Sequence, residues 1–304
     1  MEFIEELESI ISSDRIRRFE PMRDHTTFRI GGPADLFISP EEEDIPKLVK
    51  LCRRNAVPYV VIGNGSNILV GDKGIRGAVI CVGRDMNQIV VEERGNRGLI
   101  HAQAGAMLSA VAKEAADGGW GGMEFAAGIP GSLGGALVMN AGAYGGQMCD
   151  ILESVTVLTR EGKVCDWDRE RYAGGYRTSA VSTEGAIVLE ATLILPKGDK
   201  DRINAKMQEL KQKRNDKQPL DRPSAGSTFK RPEGHYAGKL IMDAGLAGYT
   251  VGGAQVSEKH CGFVINKGGA TARDVRDLMK DVEDKVYEES GIRLEPEVRF
   301  LGEF

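Results

Sequence analysis

Residues 118–146 read GGWGGMEFAAGIPGSLGGALVMNAGAYGG, and eleven of these twenty-nine residues are glycine. Glycine loses more backbone entropy on folding than any other residue, so a cluster this dense indicates a backbone that approaches a ligand closely or adopts positive φ. Pro130 suits the first turn of a short helix, which predicts unpaired amide donors at Gly131 and the three residues after it. The stretch therefore predicts a diphosphate site without a lysine. The alternative is a tightly packed glycine turn between strands.

A second glycine turn, GNGSN at residues 63–67, follows a buried strand predicted at residues 57–62. The third glycine of a dinucleotide-binding G-x-G-x-x-G pattern is missing because Ile68 occupies its place. The segment after it is too short for a crossover helix, so we set a Rossmann fold aside. Consecutive amides and the side chains of Ser66 and Asn67 can still cradle a phosphate.

The bulk composition excludes several classes of protein. The chain has 304 residues and a formal net charge of −5 with no long basic run, which favours two or three domains and no nucleic-acid partner. The five cysteines are odd in number and form no C-x-x-C pair, which argues against a disulfide framework or a zinc knuckle. The four histidines include no i, i+4 pair, so we expect no metal site.

The N-terminal residues 1–19 predict a short acidic amphipathic helix, without the basic start, apolar core and cleavage site of a secretory signal. No apolar run reaches the length that crosses a membrane. We therefore expect a soluble, cytoplasmic protein with no membrane association. No feature of the sequence indicates an obligate protein partner.

Periodicity along the rest of the chain predicts many short strands among a few helices, which is an α+β pattern. A strand pair is predicted at residues 26–38, and further strands at residues 78–82, 88–92, 98–104, 154–159, 163–167 and 186–195. Helices are predicted at residues 44–55, 108–117, 201–216 and 271–290. The last helix has a capping box of Thr271 and Asp274 and stops at Gly291.

Five motifs follow one another in the chain. They are GNGSN at 63–67, GIPGSLGGALVMNAGAYG at 128–145, YR at 176–177, GSTFKRP at 226–232 and LEPEVRF at 294–300. In this order and with this spacing they resemble the UDP-N-acetylenolpyruvoylglucosamine reductases of peptidoglycan synthesis. The resemblance covers residues 25–300, and the ordered set is far more specific than any single glycine motif.

The resemblance implies an α+β chain that contains an FAD-binding fold of the vanillyl-alcohol oxidase (PCMH) type in two lobes, followed by a C-terminal α+β substrate-binding domain. We divide the chain accordingly into an N-terminal helix and first lobe at residues 1–70, a second lobe at 71–198 and a substrate domain at 199–304. The resemblance also implies non-covalent FAD, NADPH as reductant and UDP-N-acetylglucosamine enolpyruvate as substrate. UDP-N-acetylmuramate would be the product.

Carried onto this sequence, the resemblance makes Ser227 the proton donor, and Arg177 and Glu297 the residues that help to stabilise the enol intermediate. Hydride from reduced FAD would add to the enolpyruvyl carbon furthest from the carboxylate, after which Ser227 would protonate the α-carbon. The implied FAD-binding residues are Gly63, Asn64, Gly65, Ser66, Asn67, Gly128, Ile129, Pro130, Gly131, Ser132, Gly134, Gly135, Asn140, Gly142, Ala143 and Tyr144. The implied substrate-binding residues are Tyr176, Lys217, Lys230 and Lys259.

The sequence departs from the family pattern in two respects. Arg231 stands where other members often have asparagine, which puts the local diphosphate contacts in question. The chain also lacks the insertion with a substrate-covering tyrosine, and so resembles the shorter branch of the family. Two alternatives stay open: another flavin enzyme of the same fold, such as an oxidase of small alcohols or hydroxy acids, and a non-catalytic nucleotide-binding module.

Overall fold

The computed structural model describes residues 2–304. Its α-helices are α1 (Glu2–Ile10), α2 (Ile45–Arg54), α3 (Leu108–Asp117), α4 (Leu133–Val138), α5 (Met148–Ile151), α6 (Arg169–Tyr172), α7 (Ala180–Glu184), α8 (Lys200–Lys217), α9 (Ala237–Asp243) and α10 (Ala272–Ser290). Its β-strands are β1 (Ile16–Pro21), β2 (Pro33–Ile38), β3 (Tyr59–Ile62), β4 (Ile68–Val70), β5 (Ile75–Cys81), β6 (Ile89–Arg94), β7 (Arg97–Gln103), β8 (Gly142–Ala143), β9 (Gly146–Gln147), β10 (Leu152–Leu158), β11 (Val164–Asp168), β12 (Ile187–Pro196), β13 (Ser224–Ser227), β14 (Thr250–Val251), β15 (Ala254–Val256), β16 (Phe263–Asn266) and β17 (Arg299–Leu301).

Local signals in the sequence set the ends of several helices. α3 covers the predicted residues 108–117, and α2 follows Asp44 with a proline in its first turn. At the start of α10 the Thr271 hydroxyl accepts a hydrogen bond from the Asp274 amide at 3.0 Å. The helix ends at Gly291, whose φ is +71°. The predicted capping box and glycine stop are therefore confirmed.

Two predictions near the N-terminus are wrong. The helix predicted at residues 1–19 ends at Ile10, and Ile16–Pro21 forms β1, because pairing within a four-stranded sheet of order β1-β2-β5-β3 overrides the helical pattern. Met1 lies outside the described residues. The strand pair predicted at residues 26–38 is a single strand, β2, since the residues before it turn back on themselves: the Thr26 hydroxyl donates to the Ile30 carbonyl at 3.0 Å.

The chain divides into two compact units, each built from segments that are not consecutive. The first comprises the residues up to Arg17, Phe37–Asn64 and Ala78–Arg214, and the second comprises Arg18–Leu36, Gly65–Gly77 and Asn215–Phe304. This division differs from the three consecutive segments expected from the sequence. One cause is that β17, near the C-terminus, pairs in parallel with β4.

The first unit contains a five-stranded antiparallel sheet of order β11-β10-β12-β7-β6. Helix α3 packs beside β6 and β7, and α4 packs beside β12. Apolar side chains such as Val155, Val157 and Leu193 are buried in its core. The loop that connects β7 to α3 lies along the residues before α4, where an isolated antiparallel bridge joins Met107 to Ser132. The sheet thus positions the glycine-rich segment.

The second unit contains a four-stranded antiparallel sheet of order β13-β16-β15-β14, covered by α10. The apolar stripe of α10 is buried with Phe28 and Leu69 in one core; it consists of Val275, Leu278, Met279, Val282 and Val286. The Asp72 carboxylate accepts hydrogen bonds from the first amides of α10, Ala272 at 2.8 Å and Arg273 at 3.0 Å. This external cap ties the loop after β4 to the C-terminal part of the chain.

Membrane-spanning length and apolarity do not occur together in any helix of residues 2–304.

Candidate active site

Two glycine-rich loops of the first unit lie in direct contact. A Cβ atom added to Gly63 would lie 2.1 Å from the Ser132 hydroxyl oxygen, so a larger residue there would require the Ser132 side chain or its loop to shift. The Asn64 side-chain amide donates a hydrogen bond to the Pro130 carbonyl at 2.5 Å. The start of GNGSN and the start of GIPGSLGG, predicted to act together, therefore meet in the fold.

The amides of the second loop differ from the prediction. Pro130 precedes α4 by three residues, and Ser132 is the N-cap, with its hydroxyl accepting from the Gly135 amide at 3.4 Å. The amides of Leu133 and Gly134 are not spare donors, because they bond to the carbonyls of Ala106 and Ala104, each at 2.8 Å. Of the four predicted donors, Leu133 and Gly134 are therefore not available, and Pro130 does not lie in the first turn of the helix.

Spare donors do exist one step earlier in this loop. Gly131 and Ser132 are buried, and within residues 2–304 their backbone amides have no hydrogen-bond acceptor. Buried amides are almost always paired, so two unpaired ones in succession mark a place where a ligand supplies the acceptor. The residues present fit an anionic diphosphate held by backbone amides.

The remainder of GNGSN belongs to the second unit. Gly65 has a φ of +65°, and a Cβ added there would lie 2.0 Å from the His25 carbonyl oxygen. The next residues lead into β4, and Asn67 fixes their position: its side-chain amide donates to the Glu297 carbonyl at 3.1 Å. Its own carbonyl accepts from the Arg299 amide at 3.0 Å. Asn67 thus joins the glycine turn to the LEPEVRF segment.

Arg177 lies in a tight turn of the first unit. Gly175 and Thr178 form the bridge that closes the turn, and Arg177 adopts a φ of +55°, a region that side chains rarely occupy. Its guanidinium donates to the Gly142 carbonyl at 3.4 Å and lies over the Tyr176 ring at 5.3 Å. Strained non-glycine residues concentrate at functional sites, so the backbone conformation of Arg177 favours a functional role for it.

Buried side chains hold this turn in place. Asn140, only 1% exposed, donates to the Gly175 carbonyl at 2.9 Å and to the Gln147 side chain at 3.1 Å. Its side-chain oxygen accepts from the Cys149 amide at 2.9 Å. All polar atoms of the Asn140 side chain thus have protein partners. The Asn140 side chain is therefore fully engaged within the protein, and its predicted role in FAD binding remains a prediction.

The segment that carries the Arg177 turn is also bonded to the last turn of α4. The Tyr172 hydroxyl donates to the Leu137 carbonyl at 2.6 Å, and the Ser179 hydroxyl donates to the Val138 carbonyl at 3.0 Å. Burial raises the pKa of Tyr172 above its usual range, so the phenol stays protonated and continues to donate. The carbonyls that a helix leaves unpaired at its end are satisfied here by side chains.

Ser227 and Glu297 lie on adjacent segments of the second unit. Ser227 is exposed at the end of β13 and pairs with Phe263 of β16. The residue after it, Thr228, accepts a hydrogen bond on its carbonyl from the Glu297 amide at 2.8 Å. Backbone pairing therefore brings together two residues that are seventy positions apart in sequence.

The three predicted substrate lysines occupy two places in the second unit. Lys259 donates to the carbonyl of Asn215 in the last turn of α8 at 2.6 Å, close to Lys217 at the end of that helix. Lys230 instead forms an ion pair with Glu295 at 3.2 Å. Burial lowers the pKa of neighbouring His260, and the charge of Lys217 adds to this effect, so His260 is neutral at pH 7.

Arg214 is a residue of this region that the sequence did not single out. It lies in α8, and its guanidinium donates to the Gly128 carbonyl of the glycine-rich segment. An arginine among the many charged residues of that helix gives no local signal.

No group of His, Cys, Asp or Glu among residues 2–304 is arranged to hold a metal ion.

Comparison with known families identifies the class of this protein. The family model described as an FAD binding domain matches residues 34–168, which contain both glycine-rich loops. The fold and the loops therefore define an FAD-binding protein of α+β architecture, as predicted. The model described as the C-terminal domain of UDP-N-acetylenolpyruvoylglucosamine reductase matches residues 218–301. The chain belongs to the UDP-N-acetylenolpyruvoylglucosamine reductase family.

Individual relatives agree with this assignment over nearly the whole chain. A UDP-N-acetylenolpyruvoylglucosamine reductase of Agathobacter rectalis is 55% identical over 293 residues, covering 94% of this chain and 93% of that protein. The crystal structure of the reductase from Thermus caldophilus superposes with a TM-score of 0.77 at 37% identity, covering 94% of this chain and 99% of that one. An alkyldihydroxyacetonephosphate synthase matches at 21% identity with a TM-score of 0.50, covering 64% of this chain and 40% of that one. This last likeness concerns the fold alone.

Proposed function

We infer that this protein is an NADPH-dependent FAD enzyme that reduces the enolpyruvyl group of UDP-N-acetylglucosamine enolpyruvate to give UDP-N-acetylmuramate in peptidoglycan synthesis. Family membership at 55% identity, with matches to both the FAD-binding and the C-terminal family models, supports this function. The C-terminal match at residues 218–301 also argues against a generic flavin oxidase and against a non-catalytic module.

One structural observation carries the assignment of chemistry within the second unit. The hydrogen bond from the Glu297 amide to the Thr228 carbonyl aligns the GSTFKRP and LEPEVRF segments side by side. Ser227, which is exposed, and Glu297, which is half-buried, therefore lie on neighbouring segments. We propose that both residues serve one reaction, with Ser227 as proton donor and Glu297 as a residue that orients or helps to protonate the enolic group.

FAD, when bound, supplies hydride transfer between NADPH and the enolpyruvyl group. Ser227 then has one defined task, which is to deliver the proton of its Oγ to the substrate α-carbon. A serine hydroxyl is a weak acid at neutral pH, so nearby positive charge must stabilise the alkoxide that remains. Lys230 lies in the same loop, and we propose that it contributes to this stabilisation.

Arg177 is proposed to stabilise the negative charge that develops on the carboxylate side of the enolpyruvyl group. Its guanidinium remains charged at every physiological pH and can bond a carboxylate through two N–H groups. The strained backbone of its turn, held by Asn140 and Tyr172, restricts where that guanidinium can reach. Such preorganisation is how a cation contributes to transition-state stabilisation instead of only to binding.

The nucleotide part of the substrate is proposed to contact Lys217, Lys259, Lys230 and Tyr176. Lys217 and Lys259 lie together at the end of α8, which suits a doubly charged diphosphate. Lys230 is partly neutralised by Glu295, so we expect it to contribute less. We further propose a cytoplasmic location and no obligate protein partner.

Anaerobic half reactions test the proposed function. NADPH should bleach the visible absorbance of the purified flavoprotein, and UDP-N-acetylglucosamine enolpyruvate added afterwards should restore it with formation of UDP-N-acetylmuramate. UDP-N-acetylglucosamine, which lacks the enolpyruvyl ether, is the matched control and should leave the flavin reduced. Failure of the enolpyruvyl nucleotide to reoxidise the flavin would contradict the proposal.

A further inference from the structure

Arg214 interrupts an apolar pattern on α8. The helix is charged and mostly exposed, and its buried residues are Ile203 and Leu210. Arg214 lies four residues after Leu210 and therefore on the same face of the helix. The next position on the buried face of the helix therefore carries a cation instead of an apolar side chain.

The side chain of Arg214 lies against both ends of the segment 128–144. Its guanidinium donates to the Gly128 carbonyl, and the Tyr144 side chain lies close enough to hydrogen-bond with it. A Cβ atom added to Gly128 would lie 3.1 Å from both Cδ and Nε of Arg214. A side chain at residue 128 would therefore require Arg214 to shift by a few tenths of an ångström. The spare amides of Gly131 and Ser132 lie within the segment so held.

Among the residues that the structure describes, the charge of Arg214 has no anionic partner. Several other arginines of the first unit pair with acids, for example Arg15 with Glu41 and Arg171 with Glu184, and Arg53, whose partners are a carbonyl and a phenol, is exposed to solvent. Within residues 2–304 no carboxylate lies at ion-pair distance from Arg214, whose partners are a neutral carbonyl and a phenol. Burial lowers its pKa, yet an arginine stays protonated under all physiological conditions. A partly buried, uncompensated cation is less favourable than one with an anion beside it.

We propose that Arg214 is a positioning residue for FAD: it holds Gly128 and Tyr144 in the flavin-binding arrangement and provides the positive charge that a diphosphate loop without a lysine otherwise lacks. The proposal rests on the proposed function. In this proposal, the positive charge that balances the FAD diphosphate comes from α8, which follows the FAD-binding part of the chain.

The test compares Arg214→Met and Arg214→Lys with Arg202→Met, an exposed arginine on the same helix. Flavin is removed, and the apo-proteins are titrated with FAD while flavin fluorescence is followed. Loss of a hydrogen-bonded charge should raise the FAD Kd of Arg214→Met by roughly 10- to 100-fold. Arg214→Lys keeps the charge and loses the planar fork, so its Kd should lie between those of the wild type and Arg214→Met. Arg202→Met should bind FAD like the wild type.

Thermal unfolding separates this role from a merely structural one. Because the cation is uncompensated in the apo-protein, Arg214→Met should leave the apo Tm unchanged or raised. The increase in Tm that FAD produces should be smaller than in the wild type. A lowered apo Tm together with a wild-type FAD Kd would overturn the proposal. If Arg214→Met does not fold, the FAD Kd of Arg214→Lys is the deciding measurement. An unchanged FAD Kd in Arg214→Lys would then overturn the proposal.

Two further outcomes assign failure to its source. A wild-type apo-protein that binds no FAD would contradict the proposed function itself. An unchanged FAD Kd in Arg214→Met, with a raised KM for the enolpyruvyl nucleotide, would show that the charge serves the substrate and would overturn only this inference.

Discussion

The glycine-rich segment 128–144 and the Ser227–Glu297 region are built by different means. Side chains hold the first: Asn140, Tyr172 and Arg214 bond its carbonyls or those beside it, and Ser132 packs against Gly63. Backbone pairing holds the second, where the amide of Thr228 bonds to Gly262 and its carbonyl accepts from Glu297, each at 2.8 Å.

The two regions therefore differ in which groups hold the structure and which groups are free to contact a ligand. In the first region the side chains are occupied with structure, so the backbone amides are what remains to contact a ligand. In the second region the backbone is occupied, and the Ser227 side chain is exposed and available for reaction. Substitutions of side chains should therefore alter cofactor binding in the first region and chemistry in the second.

The largest effect is expected from Ser227→Ala. Reduction of the flavin by NADPH should be unchanged, because that half reaction does not use the serine. Reoxidation by the enolpyruvyl nucleotide should slow by roughly a hundredfold or more, the range in which loss of a general acid falls. Stopped-flow absorbance measures both steps. Ser224→Ala, at the other end of β13, is the control and should behave as the wild type. Wild-type reoxidation in Ser227→Ala would remove this serine from the mechanism.

An intermediate effect is expected from Gly63→Ala. The added methyl group would lie 2.1 Å from the Ser132 hydroxyl oxygen, so the Ser132 side chain or its loop must shift. Overpacking of this kind typically costs about 1–3 kcal/mol, which corresponds to a roughly 10- to 100-fold higher FAD Kd. Fluorescence titration measures it.

Two variants sharpen the Gly63 experiment. Gly121→Ala, where the new Cβ would make only ordinary contacts at 3.4 Å or more, should leave FAD binding unchanged. Adding Ser132→Ala to Gly63→Ala removes the clashing oxygen and leaves the Ser132 Cβ at 3.3 Å, so it should recover part of the affinity. If Gly63→Ala alone binds FAD as tightly as the wild type, the close contact between Gly63 and Ser132 is not required for FAD binding.

The smallest effects test the comparison itself. Asn140→Ala removes several buried hydrogen bonds at once and should lower the free energy of unfolding by about 2 kcal/mol. Asn67→Ala removes one side-chain bond, while the parallel pairing of β4 with β17 remains, so a loss below about 1 kcal/mol is expected. Denaturant unfolding measures both. Equal losses would mean that the two regions do not differ in how they are held.

Locally encoded features were predictable from the sequence. The capping box of Thr271 and Asp274 and the glycine after α10 specify a helix through bonds between near neighbours. The glycine density of residues 118–146 likewise indicated close backbone approach, and Gly142 shows it, because a Cβ added there would lie 2.7 Å from the Gly146 carbonyl oxygen. The ordered motifs then gave the family.

The predicted amide donors show where local reasoning fails. Leu133 and Gly134 resembled free donors at a helix start, but the chain before α3 runs alongside them and takes up both hydrogen bonds. A short helix has no property in the sequence that reveals which neighbour its first amides meet. The helix predicted at residues 1–19 failed for a related reason, because β1 gains more from sheet pairing than from continuing the helix.

The sequence by itself determined the α+β class, the major helix ends, the glycine loops and the family, because each depends on local conformational preference or on the order of motifs. Only the tertiary structure decided that, of the four predicted amides, Gly131 and Ser132 stay unpaired, and that Glu297 lies beside Thr228. It also decided that the unpaired charge of Arg214 lies against Gly128. These relations join residues distant in the chain, and hydrogen bonding and burial between such residues follow from packing that local sequence does not specify.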